Sequence, residues 1–152
     1  MGSIEELRRF KARLEELTGT PITSHKIEDQ GGLVVADDLC TTSRTFWHLA
    51  DEDGDPMVAL AALLDRRALC ACMHPMEARL EHILSLATRF QAQGVVDFTL
   101  KYCHPFLYEA PLLKRTLEAR GLPLTVLEVG HDMSGHGQLR TRIQAFLEMV
   151  EG

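Results

Sequence analysis

The stretch Gly94-Val-Val-Asp-Phe-Thr-Leu-Lys-Tyr-Cys-His-Pro105 constrains the fold most, because an apolar-rich run of strand length stops there at a polar, thiol-bearing turn. Val95–Leu100 reads as a buried strand, and Cys103 falls just past its end. Two other segments repeat the arrangement: Leu33-Val-Val-Ala36 runs into Asp37-Asp38-Leu39-Cys40, and Leu124-Thr-Val-Leu-Glu-Val129 runs into Gly130-His131-Asp132. In an open α/β sheet, ligands collect outside the carboxyl ends of parallel strands. Three strand ends therefore carry polar or thiol groups, among them Asp38, Cys40, Cys103 and Glu128, toward one rim.

Helical periodicity fills the intervals. Ile4, Leu7, Phe10, Leu14 and Leu17 recur at helical spacing behind a Ser3/Glu6 capping box, and Gly19 and Pro21 end that segment. A polar connector follows to Gly32. Pro56 opens a helix through Arg67 with Met57, Leu60, Ala61 and Leu64 as its apolar stripe. After a turn over Cys70–Pro75, a helix from about Met76 to Gln93 is expected to bury Leu80, Ile83, Leu84, Ala87 and Phe90, with Gly94 as its C-cap. A helix from about Phe106 to Arg120 turns Phe106, Ala110, Leu113 and Leu117 inward and ends at Gly121-Leu-Pro123. The last helix starts near Gly137 and faces inward with Leu139, Ile143, Phe146, Leu147 and Val150. Strands alternating with helices predict parallel pairing with right-handed crossovers. The expected fold is α/β, a three-layer Rossmann-like domain with a small parallel sheet flanked by helices. Residues 1–30 form an N-terminal helix and connector, and residues 31–152 form the α/β domain.

A chain of 152 residues with 45% apolar content suits one core of ordinary size. Its formal charge of -6 removes sequence-independent attraction to polyphosphate backbones, so nucleic acid is not an expected partner. No apolar run is long enough to span a bilayer, and the N-terminus lacks a basic start and an apolar stretch, so a cytoplasmic protein is expected. In that compartment the four cysteines, Cys40, Cys70, Cys72 and Cys103, are read as thiols or metal ligands before disulfides.

Cys70-Ala-Cys72-Met-His74 together with Cys103-His104 carries thiolate and imidazole donors suited to zinc or an iron-sulfur cluster. The Cys-x-Cys spacing is tighter than in ordinary structural zinc sites, which leaves buried or incidental thiols as the other reading. Asp37 and Asp38 suit acid or base work, or one of them caps the following turn. Two segments have anion-binding chemistry. Thr41, Thr42, Ser43 and Arg44 follow one strand end, and Gly135-His-Gly137-Gln138-Leu-Arg140, with Arg142 beyond, opens the last helix. Gly135-x-Gly137 reaches Arg140 where a dinucleotide fingerprint needs Gly or Ala, so it is no nucleotide motif. Flexible loops with solvated arginines are the alternative. His48 and His82 have no evident partner in the sequence.

Val34-Val-Ala-Asp-Asp-Leu-Cys-Thr-Thr-Ser-Arg44, Leu100-Lys-Tyr-Cys-His-Pro105 and Gly137-Gln-Leu-Arg-Thr-Arg-Ile-Gln-Ala-Phe-Leu-Glu-Met149 resemble the C-terminal domain of 2-hydroxyacyl-CoA dehydratase D-component subunits, a pattern shared with benzoyl-CoA reductase subunits. Cys70–Leu84 and Pro111–Leu127 fit the intervening sequence, so the resemblance covers about Gly31 to the end. It implies a lyase of anaerobic metabolism: a two-subunit enzyme that removes water from a 2-hydroxyacyl-CoA by a ketyl-radical route, with 4Fe-4S clusters held by cysteines and an ATP-dependent activator supplying the electron. Cys103 matches the family's C-terminal cluster ligand. Cys70 and Cys72 match positions in the pattern that are not its usual ligands and stand as weaker metal candidates. The family usually has Asp where His104 stands and Gly where Thr42 stands.

On this reading the chain is abbreviated, with cluster ligands of an upstream domain left to other domains or chains. A sister dehydratase subunit or a second copy is the expected protein partner, and acyl-CoA the expected ligand. Asp38, Ser43, Arg44, Glu128, Gly137, Gln138, Arg140 and Arg142 are the candidates for substrate or anion contact. The alternative function is a non-enzymatic interaction or CoA-anion-binding module that retains the family fold.

Overall fold

The computed structural model of the protein describes residues 25–39, 44, 47–67, 70–73, 75–130 and 136–152. The expected N-terminal helix, Cys40, Thr41, Thr42, Ser43, His74, His131, Asp132 and Gly135 lie outside these. The elements in chain order are α1 (His25–Glu28), α2 (Pro56–Asp65), α3 (Met76–Arg89), β1 (Val95–Leu100), α4 (His104–Glu118), β2 (Leu124–Val129) and α5 (His136–Glu151). Residues 1–34 with 135–152 make up one compact unit, and residues 35–134 the other.

In the 35–134 unit, β1 and β2 pair in parallel, with Val95 opposite Leu124 and Leu100 opposite Val129. Parallel strands need a long crossover, and α4 supplies it, packing on both strands and on α3. The chain is therefore of the α/β class, with a two-stranded parallel sheet among the described residues. Leu80 and Ile83 of α3, Leu113 and Leu117 of α4 and Leu124 of β2 form the buried core. Met76, Leu84, Leu112 and Val126 pack around it.

Helix ends follow local chemistry. Asp55 caps α2 by accepting a hydrogen bond from the Met57 N–H at 2.7 Å, with Pro56 in the first turn where its missing N–H costs nothing. After α4, Gly121 takes the left-handed conformation (φ 73°). The Gly121 N–H then bonds the Glu118 carbonyl and the Leu122 N–H bonds Leu117, at 2.9 and 3.0 Å. This is the Schellman arrangement.

Four sequence expectations change. Leu33–Ala36, read as a strand, is extended but belongs to none; Leu33 and Val35 are 42% and 40% exposed, so the run gains too little burial for a sheet position. The helix expected to reach Gln93 stops at Arg89, and the left-handed cap residue is Gln91 (φ 53°) instead of Gly94. The Ala92 N–H closes that turn on the Ala87 carbonyl at 2.9 Å. Phe90, outside the helical run, is exposed, and Leu86 takes the inward position. The apolar stripe of α2 is reversed. Met57, Leu60, Ala61 and Leu64 face outward and Ala59 is buried, because α2 is apolar around most of its circumference and its periodicity does not select a face.

In the other unit α1 packs on α5. Leu139, Ile143 and Phe146 are its buried face, as their spacing predicts, and Leu147 and Val150 are half-buried. A Cβ on Gly32 would stand 2.8 Å from Ile27 Cγ2 and 3.0 Å from Leu147 Cδ2, so the absence of a side chain permits this close approach.

Candidate functional site

Asp37 and Asp38 end the extended segment, and the structure separates their roles. Asp37 accepts a 3.4 Å hydrogen bond from the Leu39 N–H, a turn-capping contact. Asp38 is the hub of a buried charge network. Arg44 donates from Nε to Oδ1 at 3.0 Å and from Nη2 to Oδ2 at 2.8 Å, and Nη2 also reaches the Asp38 carbonyl. Arg79 Nη1 meets Oδ2 as well, and Arg79 Nε donates to Glu109 Oε1 at 2.7 Å. Arg44, Arg79 and Glu109 are 4%, 3% and 1% exposed. Two guanidinium groups thus face two carboxylates, all but Asp38 almost fully buried and Asp38 with 14% of its side chain exposed. Such a set persists because each desolvated charge has a counter-charge and directed hydrogen bonds.

The network binds separate parts of the unit together. Arg79 comes from α3, Glu109 from α4, and Asp38 and Arg44 from the segment after residue 35. Phe106 covers the Arg79 guanidinium, which lies 5.4 Å from the ring centre. His82, one turn beyond Arg79, places Nε2 3.6 Å from Asp38 Oδ1 and meets Trp47 edge-on at 6.0 Å. Burial holds the His82 imidazole below its ordinary value; Arg44, Arg79 and His48 act in the same direction, and Asp38 opposes them.

Cys70 borders this network. Burial pushes its thiol up, but hydrogen bonds with the backbone and side chain of Cys72 and the charge and hydrogen bond of Arg44 outweigh that and leave it lowered. The Met73 N–H closes a turn on the Cys70 carbonyl at 2.9 Å. Cys103 stands elsewhere in the unit, at the carboxyl end of β1. Its N–H bonds the Leu100 carbonyl at 3.0 Å, and the His104 N–H reaches back to the Tyr102 carbonyl at 2.9 Å. Cys103 is the centre of that inverse γ-turn (φ -79°, ψ 79°) and the N-cap of α4. Tyr102 before it has φ 70°, a sparsely populated conformation for a bulky residue, so the turn presenting Cys103 holds local strain.

Of the candidates named from sequence, the structure joins Asp38 to Arg44. Glu128 is exposed near the end of β2, opposite Thr99 of β1. Gly137, Gln138, Arg140 and Arg142 belong to the other unit, in the first two turns of α5. There Arg140 Nε donates to Gln30 Oε1 at 3.1 Å, and Lys26 and Asp29 line the same hollow. Ser43 lies outside the described residues. Arg79, Glu109 and His82 are additions that the sequence reading missed. Their signal was present: Arg79 interrupts the arc Leu80, Ile83, Leu86 on α3, and Glu109 adjoins Ala110, Leu113 and Leu117 on α4. Opposite charges on the inward faces of neighbouring helices point to a buried pair.

Among the described residues no group of three or more His, Cys, Asp or Glu side chains could hold a metal ion. Cys103 at the strand end and the Cys70/Cys72 pair are separate sets of donors, short of the four ligands that an iron-sulfur cage ordinarily takes. No helix among the described residues is long and apolar enough to cross a membrane.

Residues 23–150 match the protein family described as 2-hydroxyglutaryl-CoA dehydratase, D-component. YjiM of Escherichia coli (strain K12), provisionally named a dehydratase subunit, is 33% identical over 156 aligned residues, covering 96% of this chain and 40% of that protein. The (R)-phenyllactyl-CoA dehydratase beta subunit of Clostridium sporogenes is 32% identical over 82% of this chain and 33% of its own length. The (R)-2-hydroxyglutaryl-CoA dehydratase beta subunit of Acidaminococcus fermentans is 30% identical over 82% of this chain and 34% of its own. The chain thus spans between a third and two fifths of the length of these relatives.

Proposed function

Because the chain belongs to the 2-hydroxyglutaryl-CoA dehydratase D-component family, we propose that it serves as part of a dehydratase acting on a 2-hydroxyacyl-CoA. The observation that carries this reading is the family match over residues 23–150, a span that includes Asp38, Arg44, Arg79 and Cys103. Relatives named as beta subunits support a sister subunit as its partner. In the full assembly a 4Fe-4S cluster would supply a single electron for radical dehydration, delivered by an ATP-dependent activator. The described thiols do not make a complete cage, so Cys103 is proposed as one ligand, with the others from another domain or chain.

The residues of this chain then have separable tasks. The strained turn and the N-terminus of α4 hold the Cys103 thiol at the end of β1. The Asp38–Arg44–Arg79–Glu109 network fixes the segment before β1 against α3 and α4 and, with two cations and two carboxylates, adds no net charge. In the other unit Arg140 and Lys26, with Gln30 and the carboxylate of Asp29 in the same hollow, leave one net positive charge to meet a CoA phosphate. Gly137 and Gln138 in the first turn of α5 and Arg142 are the further proposed contacts of that unit; Ser43, Asp38, Arg44 and Glu128 are those proposed for the 35–134 unit, taken by itself.

Calorimetric titration of the full chain with a 2-hydroxyacyl-CoA tests this. Binding is expected, weakened roughly tenfold in Arg140→Ala, the loss of one charge-assisted hydrogen bond. An exposed first-turn arginine contributes little to stability, so that variant stays folded. No heat, together with no chemical-shift change near Cys103 or Arg140, would remove the dehydratase reading and leave the non-enzymatic interaction module.

A further inference from the structure

We propose that Cys70 and Cys72 form a reversible oxidation site that closes into an intrachain disulfide beside Arg44. The site is built by three features. The turn closed by the Met73 N–H on the Cys70 carbonyl at 2.9 Å curls the chain around Cys72 and brings its backbone and thiol to bear on the Cys70 sulfur. Disulfides span Cα separations of about 4.4–6.8 Å, and the Cys70–Met73 hydrogen bond closes a four-residue turn whose ends lie within about 7 Å, with Cys72 inside it. The charge and hydrogen bond of Arg44 reach the same sulfur, and its guanidinium is held in place by Asp38 through Nε and Nη2 at 3.0 and 2.8 Å. A cation fixed beside one sulfur favours the thiolate, the form that attacks oxidants.

Access completes the argument. Cys72 is exposed and Cys70 half-buried, so a small oxidant reaches the pair. With hydrogen peroxide, the Cys70 sulfur attacks one peroxide oxygen and the O–O bond breaks. One oxygen stays on sulfur as the sulfenic acid and the other leaves as water after protonation. The Cys72 sulfur then attacks the sulfenyl sulfur, its proton leaves with the departing hydroxyl, and a second water forms. The two thiols lose two electrons in total and the peroxide gains them. A dithiol reductant restores both thiols by exchange. This chemistry stands apart from the dehydratase reading; of the residues proposed to meet acyl-CoA it involves Arg44 and, through it, Asp38.

The test treats the full chain with one equivalent of hydrogen peroxide, alkylates the remaining thiols and maps the peptides by mass. The expected product is about 2 Da lighter, links Cys70 to Cys72, leaves Cys103 alkylated and reverts with dithiothreitol. In Cys72→Ser, oxidation should stop at a Cys70 sulfenic acid that a 1,3-dione probe captures; in Cys70→Ser, no such adduct should form at Cys72. Circular dichroism checks that both variants fold, and the wild-type map decides the matter by itself if either does not. Cys70 and Cys72 both remaining alkylatable, or Cys70 linked to Cys103, to Cys40 or to a second chain, would overturn the proposal.

Discussion

At the scale of single residues, the buried network makes the sharpest claims. Removing one member of a buried ion pair leaves the other desolvated without its counter-charge, at a cost of about 3–5 kcal/mol. Glu109→Ala takes from Arg79 one of its two carboxylate partners, since Glu109 Oε1 lies 2.7 Å from Arg79 Nε and both side chains are almost fully covered, and leaves Asp38 as the other. Urea unfolding should therefore show a loss toward the lower end of that range, and a loss under about 1 kcal/mol would mean that solvent reaches the pair. His82 adds a pH dependence. Its imidazole is held below the ordinary 6.5, so the unfolded chain takes up a proton more readily than the folded one. The stability His82 contributes is complete above the unfolded value and declines as pH falls through 6.5 toward the lowered folded value. Equilibrium unfolding at pH 7.5 and pH 5.5 should show the decline, and His82→Gln should lessen it. Asp97 has the opposite sign, because burial raises its carboxyl despite the 2.6 Å hydrogen bond from Thr99. Its contribution declines as pH rises from the ordinary carboxyl range through the raised value.

Among the elements, α2 shows how an apolar helix leaves its orientation to its neighbours. Leu60 and Leu64 are 49% and 64% exposed and Ala59 is buried. Leu60→Lys and Leu64→Lys should each change stability by less than about 0.5 kcal/mol, as surface substitutions usually do. Ala59→Leu forces extra volume against packed neighbours and should cost about 1–3 kcal/mol. Thermal or urea unfolding of the three variants separates the two faces; a large loss at Leu60 with none at Ala59 would restore the inward stripe that periodicity suggests. The same logic explains Phe90. It continues the apolar spacing of α3, yet the left-handed Gln91 ends the helix before it, and the ring packs edge-on to Trp47 at 6.2 Å.

For the whole molecule, the question is whether this chain completes a cofactor cage. One thiolate at the end of β1 and a pair in a separate turn are too few and too divided for four-fold iron-sulfur ligation among the described residues. Anaerobic reconstitution of the isolated chain should therefore leave it without a stable cluster, measured as iron and sulfide per chain and by visible absorption. Near-stoichiometric iron with a charge-transfer band that disappears in Cys103→Ser would show that the chain assembles the cage unaided. Proposed subunit assembly then predicts that iron retention depends on co-expression with a sister subunit.

The sequence by itself determined the alternation of strands and helices, the parallel pairing it demands and the family. Val95–Leu100 and Leu124–Val129 are short apolar runs bounded by turn residues, and the α5 positions Leu139, Ile143 and Phe146 repeat at helical spacing; both signals are local and survive without knowledge of neighbours. Asp38 and Arg44 were legible as polar groups after an apolar segment, but not as partners of each other. That pairing, and the entry of Arg79, Glu109 and His82, required α3 and α4 to stack, since Arg79 lies 41 residues from Asp38 and 30 from Glu109. Tertiary structure alone decided which face of α2 is buried and that Leu33–Ala36 joins no sheet, because burial and strand pairing depend on what stands opposite, and local periodicity holds no record of it.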